Sequence, residues 1–114
     1  MKPQIVHFLR NFDIECSQVL CIESDVNYSQ VHLLTGKKVT IAKTLKQVSD
    51  IVKEHAFVRV NRQMIINISH VCKYENEFFP IKVILTNGRT IQFSRRRSDT
   101  AKNQIDQYIL NRPI

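Results

Sequence analysis

The chain has 114 residues, 43% of them apolar and 24% charged, with a net charge of +7 and a pI near 9.6. These values describe one soluble globular domain able to bury its own core, and they exclude a disordered chain. No apolar run approaches the roughly 18–20 residues of a membrane span, and the N-terminal MKPQIVHFLRNFDIE carries no signal-peptide core, so the expected location is the cytoplasm.

The first expected strand is CSQVLCIES. YSQVHLLTGKKVTIAKTL then reads as strand, turn, strand, with Thr35-Gly36 in the turn, Val31 and Leu33 alternating before it, and Val39 and Ile41 after it. TLKQVSDIVKEH predicts a helix. Thr44 caps it, Gln47 completes a capping box, and Leu45, Val48, Ile51 and Val52 share one face. AFVRVNRQMIINISHV reads as a strand, with Arg59, Asn61 and Gln63 interleaved among Val and Ile.

FPIKVILTNGRTIQFSRR repeats the hairpin design around Asn87-Gly88, a strong two-residue turn signal. Ile81, Val83 and Leu85 share a face, as do Ile91 and Phe93. LLTGKKVTIAKT and ILTNGRTIQFSR look alike, either as a weak internal repeat or through the shared grammar of hairpins; the second reading is favoured. A last helix is expected from Ser98 as N-cap, with Ala101, Ile105, Tyr108 and Ile109 as its stripe and Pro113 beyond its end. The sum is a single mainly β, antiparallel domain over residues 1–114 with one or two short helices.

Cys16, Cys21 and Cys72 are odd in number and form no C-x-x-C pair, so reduced, mostly buried thiols are expected. No histidine stands at a metal-binding spacing; His70-x-Cys72 lacks a second pair. With two glycines in the chain, a phosphate-cradling loop is nearly excluded, and no nucleophile motif is present. The expectation is no enzyme, no metal and no cofactor.

The charge is unevenly spread. Residues 1–56 hold seven basic and six acidic side chains, whereas residues 57–102 hold nine basic and three acidic. The excess surrounds Arg95, Arg96 and Arg97, three adjacent guanidinium groups expected in an exposed turn just past a strand. Such an excess points to a polyanion.

From about residue 17 to 105, the chain resembles the LytTR family of bacterial DNA-binding domains, response-regulator output domains of two-component systems. The likeness rests on Ile22-Glu23-Ser24 before a polar loop, Thr44-Leu45-Lys46, the run Phe57 to Gln63 with Asn67, and Ser94-Arg95-Arg96. Asn61 and Gln63 depart from the family's usual His and Ser. The resemblance implies an elongated, multi-sheet antiparallel fold, and DNA read by loops that enter successive major grooves.

Carried over by position, Asn27, Tyr28 and Ser29 would enter one groove, Arg62 would sit centrally, and Arg96 would enter the other. Arg96 is expected to read a base edge and Arg95 and Arg97 to bind phosphates. Ser94 has two readings, phosphate donor or turn cap; Tyr28 likewise, DNA contact or core edge. Lys102 is expected to reach a phosphate, Arg59 to serve a structural ion pair, and Lys37, Lys38 and Arg89 to be solvated. The implied partner is double-stranded DNA, as paired direct repeats bound by a homodimer or side-by-side pair, with no membrane.

The alternative is a protein-interaction module that pairs with and restrains another LytTR-type regulator. The arginine cluster favours DNA over that module. Single-stranded nucleic acid wants an aromatic platform that these nine aromatics support poorly. With about 16 residues before the match, the chain reads as a stand-alone member or as part of a larger regulator; Met1 favours the first.

Overall fold

The computed structural model describes residues 4–111. In chain order the strands and helices are β1 Ile5–Leu9, β2 Phe12–Glu15, β3 Val19–Asp25, β4 Tyr28–Leu33, β5 Lys38–Ile41, α1 Leu45–Val52, β6 Phe57–Asn61, β7 Met64–Asn67, β8 Val71–Glu75, β9 Lys82–Leu85, β10 Thr90–Gln92 and α2 Arg95–Leu110. Single 3-10 turns, Cys16–Gln18 and Ile68–His70, precede β3 and β8. All pairing is antiparallel, as expected: a β1-β2 hairpin, a five-stranded sheet β5-β4-β3-β7-β6, and a three-stranded sheet β10-β9-β8.

The five-stranded sheet is the middle layer. On one face it packs against β1 and α1 through Val6, Phe8, Leu45, Val48 and Val52. On the other it packs against the three-stranded sheet and α2 through Val83, Leu85, Ile91, Phe93, Ala101 and Ile105. Strand β7 serves both cores: Ile65 points to the first, Met64 and Ile66 to the second. A strand covered on both faces has no polar side, which is why all four of its residues are buried. In β3 a bulge between Val19 and Cys21 turns the consecutive Leu20 and Cys21 toward one core. Full burial of such side chains contributes about 1.5–3 kcal/mol each before entropy is subtracted.

Helix α1 has the expected stripe and capping box. The Gln47 amide donates to Thr44 Oγ1 at 3.3 Å and the Thr44 amide to Gln47 Oε1 at 2.8 Å. Both expected hairpins form, and Gly36 and Gly88 take φ of +93° and +87°, the left-handed backbone their turns require.

Other expectations are corrected. The run from Ala56 to Val71 is not one strand: it turns back at Arg62-Gln63, forming β6 and β7. The hairpin β1-β2 gave no clear signal, being short and half-exposed. Helix α2 starts at Arg95, not after Ser98: Ser94 Oγ caps it by accepting from the Arg97 amide at 3.3 Å, and the buried Ser98 donates from Oγ to Ser94 O at 2.7 Å. Pro113 lies outside the described residues. Cys21 is buried, but Cys16 is half-buried and Cys72 exposed.

The likeness between the hairpins is deeper than turn grammar. Each belongs to a unit of 3-10 turn, three strands and helix: Cys16–Val52 and Ile68–Leu110. The Leu33 amide donates to Lys37 O, and the Leu85 amide to Arg89 O, both at 2.9 Å. The Leu34 amide donates to Gln18 O, and the Thr86 amide to His70 O, again both at 2.9 Å. Thr44 and Ser94 occupy the same capping position. The hairpin β6-β7 joins the two units.

Candidate nucleic-acid interface

Three backbone corners meet along one edge. The β3-β4 turn lies beside the β6-β7 turn, because the Ser24 amide donates to Gln63 O at 2.8 Å. The β6-β7 turn lies beside the entry to α2: the Ser94 amide donates to Val60 O at 2.9 Å, and Asn61 Nδ2 donates to Gln92 O at 2.8 Å. The edge therefore presents the tip Val26-Asn27, then Arg62, then the first turn of α2.

At the first corner, Asn27 is exposed and Tyr28 is 51% exposed. Ser29 departs from the expectation: it is fully buried, and its Oγ donates to Lys43 O at 2.7 Å, so it fixes the loop instead of facing outward. The tip residue is Val26, overlooked in the sequence. It is 85% exposed and has φ of +56°, a strained conformation for a β-branched residue.

At the second corner, Arg62 is exposed and the turn beneath it is rigidly held. The Gln63 amide donates to Asn61 Oδ1 at 2.8 Å, so both ends of the Asn61 amide are used internally. Among the described residues Arg59 makes no ion pair, contrary to expectation; it donates from Nε to Asn61 O and from Nη2 to Arg62 O. Burial, and then the Arg97 charge, hold its guanidinium below the ordinary value.

At the third corner, the arginines occupy the first helical turn, not a loop past a strand. Arg95 and Arg96 are exposed and Arg97 is half-buried. Arg95 lies 4.2 Å over the Phe79 ring, a cation–π contact. No sequence signal marks this contact. The Phe93 amide donates to Ile81 O at 2.8 Å, which sets Phe79 and Arg95 two residues away from that tie on either side. Of Ser94's two readings, the cap is realised. Lys102 is half-buried on α2, seven residues and thus about 10 Å beyond Arg95.

Four arginines gather at two of these corners, Arg62 at the second and Arg95, Arg96 and Arg97 at the third. Among the described residues, no Asp or Glu lies within ion-pair distance of Arg62, Arg95, Arg96, Arg97 or Lys102. A helix N-terminus already carries partial positive charge, so three arginines and no acid in its first turn oppose the helix dipole. Such a turn suits an external anion.

Arg89, expected to be solvated, donates instead from Nη2 to Glu23 Oε2 at 3.1 Å and ties the second unit to the first. His32 Nε2 lies 3.0 Å from the other Glu23 oxygen. Burial alone would raise the Glu23 carboxyl, but the bonds from Arg89 and His32 hold it below its ordinary range. Burial pushes the Cys21 thiol up to about 11. Among the described residues, no cluster of three or more His, Cys, Asp or Glu is placed to hold a metal, and no helix is long and apolar enough to cross a membrane.

The family model of the LytTr DNA-binding domain matches residues 10–106. A solved LytTr DNA-binding domain from Bacillus cereus superposes with a TM-score of 0.73 at 14% identity, over 92% of this chain and 97% of that one. At that identity the likeness speaks for the fold. No curated protein sequence matches the chain.

Proposed function

The chain belongs to the LytTr DNA-binding domain family, and from that premise we propose that it reads duplex DNA sequence-specifically with the three corners of its edge. The domain is a DNA-binding one, used in transcription regulation. The finer reading places the Val26–Tyr28 corner in one major groove and the first turn of α2 in the next, with Arg62 over the backbone between them.

The observation that carries this reading is the gathering of Arg62, Arg95, Arg96 and Arg97 along one edge, with no acidic partner among the described residues. Arg96 is the base reader: its planar fork matches two acceptors on a guanine edge. Arg95 and Arg97 hold phosphates, and Lys102 reaches one farther along the backbone. Ser94 and Ser29 contribute by holding their corners, not by contact. Two copies side by side on direct repeats would double the footprint without enlarging the domain.

Selection from a random duplex pool, with wild type and Arg96→Ala in parallel, tests the proposal. The expected result is an enriched repeated motif, from which the variant loses preference at one position per repeat, with about 1–3 kcal/mol of binding. Unselective binding that vanishes with modest salt would reduce the edge to a phosphate patch and overturn sequence reading.

A further inference from the structure

Behind the edge, α1 and α2 leave an open cleft of about 410 Å³ over β6 and β7. Its rim holds Lys53 at the end of α1, Arg59 on β6, and Arg96 and Arg97 on α2. Ser49, Thr100 and Gln104 complete the polar lining. None of the chain's ten Asp and Glu residues lines it. Among the described residues none of the four cations has an ion pair.

Four like charges from three elements, converging without a counterion, repel one another, and the half-buried Arg59 and Arg97 are also partly desolvated. Arg59 bears the cost most directly, being half-buried beside Arg97. Two of its five N–H donors serve the carbonyls of Asn61 and Arg62, which fixes the guanidinium at the cleft wall. The remaining donors have no partner among the described residues. A bound anion would neutralise the repulsion and satisfy those donors together.

We propose that this cleft is a phosphate-binding site. Its volume exceeds one phosphate and falls in the range of small-ligand pockets. Its floor is apolar, built from residues such as Val52, Phe57 and Ile65, so an uncharged portion of a ligand can lie there while the phosphate meets the rim. The phosphate comes either from a free phosphorylated small molecule or from the DNA backbone. The second source rests on the DNA reading above; the first does not. Because Arg96 and Arg97 belong to both cleft and edge, a free ligand in the cleft opposes DNA binding, a route to control by a metabolite.

Two measurements on the full chain decide the matter: thermal unfolding with pyrophosphate against sodium chloride at matched ionic strength, and duplex binding as a function of salt. Both use wild type, Arg59→Gln and Lys53→Gln. Lys53 is exposed at a helix end, so its variant folds whatever Arg59→Gln does. If pyrophosphate raises the wild-type Tm, does so less in both variants, and weakens DNA binding, the cleft takes a free phosphate. If pyrophosphate has no effect but each variant lowers the salt slope of DNA binding by about one, the cleft takes a backbone phosphate. Should pyrophosphate act no differently from chloride while both variants keep the wild-type slope, the proposal is overturned. A wild type that binds no duplex would remove the DNA reading, and the pyrophosphate series would then decide the cleft alone.

Discussion

The two units Cys16–Val52 and Ile68–Leu110 use one backbone plan for opposite ends. In the first, the helix opens with Leu45-Lys46-Gln47: Leu45 is buried and Gln47 closes a capping box. In the second, the same positions hold Arg95-Arg96-Arg97, and the box is half-made, with a cation at the position where Glu or Gln is preferred. The strand connection differs too. The first unit closes β3 to β4 with the tight Val26-Asn27 corner; the second crosses from β8 to β9 through a longer loop carrying Phe79 and the 81% exposed Phe78. The plan therefore supplies position, and the first helical turn decides between packing inward and presenting cations outward. A local rule broken at one copy and kept at the other is the pattern expected of the proposed site.

The largest effect comes from breaking the tie between the units. Asn67 is buried; its Nδ2 donates to Cys16 O at 2.9 Å and Val19 O at 2.8 Å, and its Oδ1 accepts from the amide and Oγ of Ser69. Asn67→Ala strands these partners and should cost about 3 kcal/mol in urea unfolding. A loss under about 1 kcal/mol would mean the two 3-10 turns hold each other without it.

Next comes the direct comparison of equivalent positions. Arg96→Ala should weaken DNA binding by about 1–3 kcal/mol, whereas Lys46→Ala, its counterpart on α1, should leave affinity within about 0.5 kcal/mol. Equal losses in a titration of one duplex would erase the functional distinction between the helices. Smaller still, Phe79→Leu should weaken binding by about 0.5–1 kcal/mol through loss of the ring under Arg95. The same substitution in an Arg95→Ala background should then do nothing; additivity would separate the two residues.

The smallest effect concerns acid. The folded Glu23 carboxyl titrates below its ordinary 4.5 because Arg89 and His32 outweigh the burial that would raise it. A lowered value means stability that is present above the ordinary range and lost as pH falls through the folded one. Tm measured from about pH 6 down to pH 3 should fall less steeply in Glu23→Gln than in wild type. Identical slopes would show that the Arg89 tie between the units carries no titratable stability.

What the sequence made legible was local. Thr35-Gly36, Asn87-Gly88 and the Thr44/Gln47 box each announce themselves within four residues, and all three form as read. The β6-β7 turn was hidden because Asn61-Arg62-Gln63 has no Gly or Pro and its flanks are buried on both faces, so neither turn chemistry nor alternation marked it. The start of α2 was hidden because three arginines are the reverse of the usual N-terminal signal. Arg62 and Arg96 were legible as cations through the family resemblance, although the turn and the helix that carry them were not. Ser29 was not, because burial depends on Lys43, fourteen residues away. Phe79 under Arg95 depends on the tie between Ile81 and Phe93 and has no signature in either segment alone.

Strand β7 has a further consequence. Both hydrophobic cores close on it, so neither can open without exposing the residues of the other. The domain should behave as one cooperative unit despite its three sheets, and the β7 amides should exchange with solvent hydrogen only through global unfolding. The Arg62 turn begins where that strand begins. Its backbone therefore inherits the slowest-opening part of the molecule, and the guanidinium it presents moves on a foundation that does not.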